Sequence, residues 1–528
     1  MSSAPYFPNE ILKLIFRQFC SHCCDQPVSI SSLSFVDEAL SHQSGCQTLS
    51  SLCLVSKRFQ DIAQPLLYHK FIAGYRHDEP PAALHRQFIS FTQTIIQRRD
   101  LSKIVEKVCI QMNLPRVSFS PGPSWQIRLR RPPPSPLPES TPNVEKILDT
   151  LRAAAHILAP STFSQPDDAS AGTKAHEEDK VKSLFSPMGG FGQLFNCESY
   201  LATELVLTLI ALLPNATHAV LQTCGHLHSD EQNYLPLALQ VFDQPNLAIK
   251  TMETDWSVPS LVRITHSTIH LENLHIHQCS RFPLGRIFTI PPMPNLKHLS
   301  LTHCRLDSPG LKYLIGQCTG KLYSFTYEPP GYGKTAHNNP LGHSAHYFSL
   351  KYIAGMLGNH CQTLKSLHLD YRHSTLKLSL SELRNFASLT HLFYGHYSLS
   401  YALNIFPSTN LSGPLLPHTL ESLGFAGAEV FHQIRHESPT HPAPYYSTEP
   451  PFEDYRYEDE ASFSRGLLDL AKAKQLFPGA FANLNNVYCI SNQVPAVDVS
   501  TVTPIFASAG VKFRFRLDSE AHLKYYYH

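Results

Sequence analysis

The sequence lacks an excess of charge of either sign. Its 528 residues include 43 Lys and Arg against 42 Asp and Glu, which leaves a formal charge of +1. Proteins that bind nucleic acids generally carry a basic excess or a basic stripe that neutralises phosphates. The balance therefore argues against a general nucleic-acid binder, and we expect no nucleic acid among the partners.

Long apolar runs and an export signal are also missing. The most apolar stretch, residues 205–213, is much shorter than the roughly 20 residues that a helix needs to cross a bilayer. The N-terminus has neither a basic start nor a continuous apolar core. We therefore expect no membrane partner, and 13 cysteines that stay reduced in the cytoplasm or nucleus instead of forming a disulfide framework.

Motifs of catalysis are missing as well. Gly333, Lys334 and Thr335 match the end of a phosphate-binding loop, but that motif needs a glycine where this chain has Glu328. The chain has no Gly-x-Ser-x-Gly motif, and no other Ser/His/Asp or Cys/His grouping stands out by its spacing. We expect no catalytic residues and no cofactor.

Two segments near the N-terminus have the apolar periodicity of short amphipathic helices. The apolar stripe of the first consists of Ile11, Leu12, Ile15, Phe16 and Phe19, and that of the second of Leu52, Val55, Phe59 and Ile62. A small helical unit cannot hide this much apolar surface by itself. Either the following domain or another protein has to cover it.

These segments carry a family resemblance. The strings FPNEIL (residues 7–12), LVSKRF (54–59) and IAQPLLY (62–68), in this order, resemble the F-box of fungal proteins over about residues 5–71. An F-box binds a Skp-type adaptor, and through it a cullin, in an SCF-type ubiquitin ligase. The resemblance assigns the adaptor interface to Pro8, Ile11, Leu12, Ile15, Leu54, Val55 and Phe59.

Two features depart from the usual F-box. Phe7 stands where the family usually has Leu, and residues 20–48 form a longer connection than usual, which we expect to loop out. The alternative interpretation of the whole segment is an N-terminal helical cap on the domain that follows.

A nine-residue phrase recurs through the body of the chain. It has Leu or a substitute at its first, fourth and sixth places, and often Cys or Asn at its ninth. The copies begin at Val105, Ala216, Leu271, Leu296, Leu322, Leu364, Leu389, Leu420 and Leu484. Side chains alternate along a strand, so in the copy LKHLSLTHC from Leu296 the residues Leu299 and Leu301 face a core.

This pattern resembles a leucine-rich-repeat array of the cysteine-containing kind that is often joined to an F-box. We therefore predict an α/β fold: a helical module at residues 1–75, then an irregular repeat solenoid with a parallel sheet at residues 76–528.

Helices are expected from two apolar stripes, Val144, Ile147, Leu148 and Leu151, then Leu201, Leu205, Leu209, Leu212 and Leu213. Segments rich in Pro, Ser, Gly or charge predict loop insertions near 114–142, 159–192, 328–346 and 434–463. The alternative is an irregular α/β domain with chance Leu phrases.

The outward positions of the repeated phrase supply the candidate partner-binding residues. These are His275, His277, His298, Ser300, Thr302, His368, Asp370 and Phe393. If the strands stack, these side chains gather on one face, where the histidines would make binding depend on pH near about 6.5. Ordinary solvated polar residues would explain the same pattern.

A metal site is a further hypothesis. Cys20, Cys23, His42 and Cys46 form a Cys-x-x-Cys followed by a His-x-x-x-Cys, which could offer zinc a tetrahedral set of ligands. The alternative is that Cys20, at the end of the first helix, belongs to the core.

The resemblance implies a substrate-recognition subunit without catalytic residues of its own. It would bind a Skp-type adaptor through the helical module and an unidentified target protein through the repeats. Two alternatives stay open: an F-box and repeat scaffold that acts outside a ligase, and an enzyme on an α/β fold.

Overall fold

The computed structural model describes fifteen stretches of the chain, and statements below refer to these residues. They are 7–20, 22–24, 32–74, 81–111, 142–158, 205–222, 247–254, 265–277, 290–304, 306–329, 348–370, 380–395, 416–426, 460–491 and 499–517. The chain divides into two compact units, Met1–Leu296 and Lys297–His528. The boundary predicted at residue 75 therefore lies inside the first unit.

The first unit begins with three helices where sequence periodicity predicts two. They are α1 (Asn9–Arg17), α2 (Ser32–Val55) and α3 (Lys57–Tyr68). The expectation of one continuous stripe from Leu52 to Ile62 is wrong at Ser56. The Ser56 hydroxyl accepts a hydrogen bond from the Phe59 backbone N–H at 3.2 Å and caps α3, so the chain ends one helix and starts another there.

The three helices enclose a small apolar core of their own. Its buried members are Phe16, Cys20, Leu49, Ala63 and Leu66. Phe59 packs edge-on against Phe16, with ring centroids 5.3 Å apart, and is half-buried. Cys20 is therefore buried in this core, next to the turn that follows α1.

The long connection between α1 and the predicted second helix is largely helical, which corrects the expectation that it loops out. Within it, residues 32–48 extend α2 toward its N-terminus. Gly45 lets this extension pass very close to the end of α1, because a Cβ at this position would lie 2.2 Å from the Phe19 carbonyl oxygen. Residues 25–31 lie outside the described stretches.

Parallel strands follow the helices. In the first unit they are β1 (Lys70–Gly74), β2 (Lys107–Gln111), β3 (His218–Gln222), β4 (Thr251–Thr254) and β5 (Asn273–His277). Each pairs with the next in chain order. The intervening helices are α4 (Pro81–Gln97), α5 (Arg99–Ser102) and α6 (Pro142–Leu158), and residues 205–211 are also helical.

The second unit repeats the arrangement. Its strands are β6 (His298–Thr302), β7 (Ser324–Glu328), β8 (Ser366–Asp370), β9 (His391–Gly395), β10 (Ser422–Ala426), β11 (Asn486–Ser491) and β12 (Lys512–Leu517). They too pair in parallel and in chain order. Its helices are α7 (Ser308–Gly316), α8 (Leu350–Met356), α9 (Glu460–Leu476) and α10 (Val499–Ser508), with 3-10 turns at Leu357–His360, Leu380–Leu383 and Pro478–Phe481.

All nine copies of the repeated phrase become strands. Each strand starts two residues after the first place of its phrase, as β6 does after Leu296. Leu299 and Leu301 are buried, while Ser300 and Thr302 between them are half-buried and His298 is exposed. The predicted α/β class with parallel strands and alternating faces is confirmed.

Hydrogen bonds tie each repeat to the one before it. Two consecutive backbone N–H groups at the start of a strand donate to one carbonyl of the preceding repeat, as Tyr323 and Ser324 do to Lys297. The polar residue before the phrase adds a side-chain bond: the Asn295 amide donates to the Ile269 carbonyl at 2.8 Å, and the Asn215 amide to Lys103 at 2.7 Å. A polar residue at this place therefore fixes the spacing of neighbouring strands.

The predicted helical stripes are buried wherever their side chains are described. Ile147 and Leu151 lie in the core on α6, and Leu205, Leu209, Leu212 and Leu213 are buried around residues 205–213.

The described helices include none that is both long and apolar enough to cross a membrane. Of the predicted insertions, residues 114–141, 159–192, 330–346 and 434–459 lie outside the described stretches. At their edges, Pro142 begins α6, Glu328 ends β7 and Glu460 begins α9.

Candidate functional site

The helical module of α1, α2 and α3 leaves a set of large apolar side chains uncovered, which we call the apolar module surface. Its members are Phe7, Pro8, Ile11, Leu14, Ile15, Phe19, Leu54 and Val55. Leu54 is 87% exposed, Val55 65% and Ile15 45%. Several large apolar side chains exposed on one small helical module are typical of an interaction site.

Helical geometry explains how α1 comes to have two apolar faces. Leu12 and Phe16, four residues apart, are buried on one face. Ile11 and Ile15, also four residues apart, therefore lie on a neighbouring face and remain exposed. At the end of α2, Leu54 and Val55 are exposed where the helix ends before Ser56.

The structure divides the seven residues predicted to bind an adaptor. Five are exposed: Pro8, Ile11, Ile15, Leu54 and Val55. Leu12 is buried and contributes to the interior of the module instead of its surface. Phe59 is half-buried against the core of the module.

Arg58 holds the two exposed parts of the module together. Its Nε donates a hydrogen bond to the Asn9 side-chain oxygen at 2.8 Å, and its Nη2 donates to the Phe7 carbonyl. Both acceptors lie at the start of α1, whereas Arg58 follows the end of α2 by three residues. The Arg58 guanidinium thus keeps the start of α1 next to the junction that exposes Leu54 and Val55.

The candidate partner-binding residues of the first unit lie on β5. His275 and His277 are half-buried, at positions that alternate with buried Leu274 and Ile276. Beside His275 in the register is Glu253, a buried carboxylate whose Oε1 lies 3.2 Å from the His218 Nε2.

The same side of the first unit's sheet is apolar at its beginning. Ile72, Cys109 and Val220 follow one another in register on β1, β2 and β3 and form a buried cluster. The outward positions are therefore not uniformly polar. Among the described residues on this side of the first unit, the polar side chains lie at the ends of β1, β2 and β3 and along β4 and β5.

In the second unit the candidate residues surround an acidic group that was not predicted. Glu328 of β7 lies opposite Thr302 of β6, and its Oε1 lies 3.0 Å from the His368 Nε2 on β8. Burial raises the pKa of Glu328, but the hydrogen bond and charge of His368 outweigh it, so that the pKa ends below its ordinary value. Asp370, also on β8, opposes this by its like charge.

Aromatic rings continue this row across the next strands. The His368 ring stacks on Phe393 at 4.2 Å between centroids, and Phe393 stacks on Tyr488 at 6.1 Å. Gly424 lies on β10, between Phe393 on β9 and Tyr488 on β11. It leaves room for the Tyr488 ring, because a Cβ at Gly424 would lie 2.3 Å from Tyr488 Cζ. Phe393 is 5% exposed, and its ring contacts the rings of His368 and Tyr488 on either side.

Glu328 and Tyr488 could have been found from the phrase itself. His368, Phe393, Gly424 and Tyr488 all occupy the fifth place of their copies, and Glu328 occupies the seventh. Stacking the copies in register places the four fifth-place residues in one line.

The predicted metal ligands separate into two groups. Cys20 and Cys23 converge with two unpredicted histidines, His22 and His69, and the four ligand atoms lie within 4.8 Å of one another. Burial, and then the neighbouring Cys20, raise the pKa of the Cys23 thiol to about 12.

His42 and Cys46 instead face each other on α2, with 3.2 Å between the Cys46 Sγ and the His42 Nε2. Burial lowers the pKa of His42 to about 4 and raises that of Cys46 to about 11, so that both groups are neutral near pH 7.

No family model matches the sequence, and no curated protein matches it. The function proposed below therefore rests on the residues and their geometry.

Proposed function

We propose that the chain is the substrate-recognition subunit of an SCF-type cullin-RING ubiquitin ligase. The helical module binds a Skp-type adaptor, and through it a cullin, and the repeated strands bind a target protein. The chain contributes no catalytic group. It acts by raising the effective concentration of the target near the ubiquitin-charged enzyme.

The apolar module surface is the observation that carries this proposal. Five of the seven positions that the F-box resemblance assigns to the adaptor are exposed, and Arg58 keeps both parts of the surface together. A simple N-terminal cap would turn its apolar residues toward the domain that follows. Here the Leu54 side chain remains 87% exposed instead.

The row from Glu328 to Tyr488 supports the second half of the proposal. It offers a target protein a carboxylate, an imidazole and the half-buried Tyr488 ring, with the buried Phe393 ring between the imidazole and Tyr488. Partly buried polar groups next to aromatic rings provide both affinity and selectivity in protein interfaces. The predicted residues His298, Ser300 and Thr302 lie on β6, next to β7 and its Glu328.

Binding of the full-length chain to a purified Skp-type adaptor, measured by calorimetry, tests the proposal. The double variant Leu54→Asp/Val55→Asp should bind at least about 100-fold more weakly, because two apolar side chains each contribute about 1.5 kcal/mol or more when buried. Both side chains are exposed in the free chain, so the circular dichroism spectrum should not change.

Leu476→Asp is the matched control, since Leu476 is another exposed apolar residue, 66% accessible at the end of α9. It should leave adaptor binding unchanged. The proposal is wrong if the unaltered chain does not bind the adaptor, or if Leu476→Asp weakens binding as much as the double variant.

A scaffold that acts outside a ligase would also bind an adaptor. Recovery of a cullin with the tagged full-length chain, lost in the Leu54→Asp/Val55→Asp variant, supports the ligase subunit. Adaptor recovered without cullin supports the scaffold.

A further inference from the structure

We propose that the first unit contains a structural zinc site. Its four ligands are Cys20, His22, Cys23 and His69. This inference does not depend on the proposed ligase function, because it uses no residue of the apolar module surface.

The distances between the ligand atoms are close to those of a tetrahedral site. With Zn–S near 2.3 Å and Zn–N near 2.0 Å, the sulfur–nitrogen edges of a tetrahedron measure about 3.5 Å. The Nδ1 of His69 lies 3.4 Å from the Cys23 Sγ and 3.8 Å from the Cys20 Sγ. The Nδ1 of His22 lies 4.0 Å from the Cys23 Sγ. All other pairs of ligand atoms lie within 4.8 Å of each other, so the four side chains already surround one point.

The second nitrogen of His22 is already held as in a metal-bound histidine. Its Nε2 lies 3.0 Å from the Glu106 Oε2, while its Nδ1 faces Cys23. Histidines that bind zinc through one nitrogen generally present the other to a carboxylate or a carbonyl, which fixes the ring and its tautomer. Glu106 supplies that carboxylate.

The backbone fixes the remaining ligands. Cys20 and Cys23 lie in a turn after α1, where the Cys23 N–H donates to the Cys20 carbonyl at 2.9 Å. His69 follows the end of α3, and its carbonyl accepts from the backbone N–H groups of Glu106 and Lys107. The site thus joins the turn after α1, the end of α3 and the start of β2.

Two thiolates and two imidazoles favour zinc among the common metals, and four protein ligands make a closed, structural site. A hydrogen bond between one thiol and one imidazole would explain the contact of Cys23 with His69. It would not explain the convergence of four ligands with a carboxylate behind one of them. The cations Arg17 and Lys70, which interact electrostatically with Cys23 and Cys20, oppose metal binding, although two thiolates would neutralise a divalent ion.

The metal content of the full-length chain, expressed with zinc and purified without chelator, tests the proposal. Mass spectrometry of the metals should find about one zinc per chain. Cobalt(II) added to chelator-treated protein should produce the absorption of a tetrahedral site with thiolate ligands. Cys23→Ser and His69→Ala should lose both signals.

Two controls separate this site from other thiols. Cys24→Ser changes the exposed neighbour of Cys23 and should keep the zinc. Cys46→Ser should also keep it, because Cys46 is not among the four converging residues.

Glu106→Gln tests the site even if the variants at the four ligands do not fold. It keeps all four ligands and should weaken zinc binding about 10–100-fold, which is the usual effect of losing a carboxylate behind a metal-bound histidine. Unchanged affinity in this variant would contradict the role of Glu106.

Three results would overturn the site itself. They are the absence of both zinc and a tetrahedral cobalt spectrum in the unaltered chain, loss of zinc in Cys46→Ser to the same extent as in Cys23→Ser, and a Cys20–Cys23 disulfide in the unreduced protein.

Discussion

Leu54 and Leu299 are the same residue type in opposite surroundings. Leu54, at the end of α2, is 87% exposed, whereas Leu299, in β6, is 1% exposed. Both belong to regular apolar patterns in the sequence. In the repeat, Leu299 lies next to Phe325 of the following strand, and both side chains are buried. In the helical module, half of the pattern forms a core and the other half has no cover within the described residues.

This contrast separates two uses of apolar residues. The leucines of the strands stabilise the fold through burial, at about 1.5–3 kcal/mol each relative to exposure. The exposed residues of the module contribute no such energy to the isolated chain. They can therefore be altered to test the proposed binding without a loss of stability.

Shortening each of these two leucines to alanine should produce the largest difference between two variants in the free energy of unfolding. Leu299→Ala should lower the free energy of unfolding by about 2–5 kcal/mol, because it removes a fully buried side chain and leaves a cavity. Leu54→Ala should change it by no more than about 0.5 kcal/mol. Urea unfolding of the full-length chain, followed by circular dichroism, measures both. Similar losses in the two variants would mean that Leu54 is covered within the free chain.

Gly45 tests whether the module has a tightly packed interior despite its open surface. Gly45→Ala places a Cβ 2.2 Å from the Phe19 carbonyl oxygen, which is a backbone atom that cannot rotate away. We expect a loss of about 1–3 kcal/mol in the free energy of unfolding.

Gly355→Ala in α8 is the matched control for Gly45→Ala. A Cβ at Gly355 has no neighbour within 4 Å, so stability should rise by up to about 1 kcal/mol. If Gly45→Ala causes no loss, α1 and the extension of α2 are not in close contact.

The smallest change in stability is expected for Glu328 of the second unit. Because the pKa of Glu328 is lowered in the folded chain from the ordinary value of 4.5, its ionised form contributes stability above pH 4.5. This contribution is lost as the pH falls through the lower folded value. Glu328→Gln should therefore slightly lower the melting temperature at neutral pH and flatten its decline below pH 4.5.

Glu382→Gln, which alters an exposed carboxylate in the same unit, is the control for this pH dependence. It should retain the decline of the unaltered chain. Parallel melting curves for Glu328→Gln and the unaltered chain across this pH range would show that His368 does not stabilise the Glu328 carboxylate.

Eight of the nine predicted copies have leucine in at least one of their first, fourth and sixth places, and the copy from Val105 has Val and Ile there. The three strands that were missed have no leucine in these places. In β4 the first, fourth and sixth places hold Ile249, Met252 and Thr254. In β1 and β12 the fourth place holds Phe71 and Phe513. The fold requires an apolar side chain that fits beside its neighbours, so residue identity is a weaker guide than the face on which the residue lies.

The exposed module surface could be predicted in part. Periodicity indicates that Ile11, Leu12 and Ile15 are apolar helix positions, but it does not indicate which of them meet α2 and α3. Leu12 faces the core and Ile15 does not. The break at Ser56 was missed because the apolar spacing continues across it, although Ser followed by a helix is a known capping pattern.

The sequence by itself determined which residues of each strand face the core, because alternation along a strand is a local property of the backbone. Only the tertiary structure decided which cysteines and histidines meet. Cys23 and His69 are 46 residues apart, and Glu106 comes later still, yet all three lie around one point. The spacing that suggested His42 and Cys46 could not show this, since a ligand set depends on distances between distant segments and not on the period of any one of them.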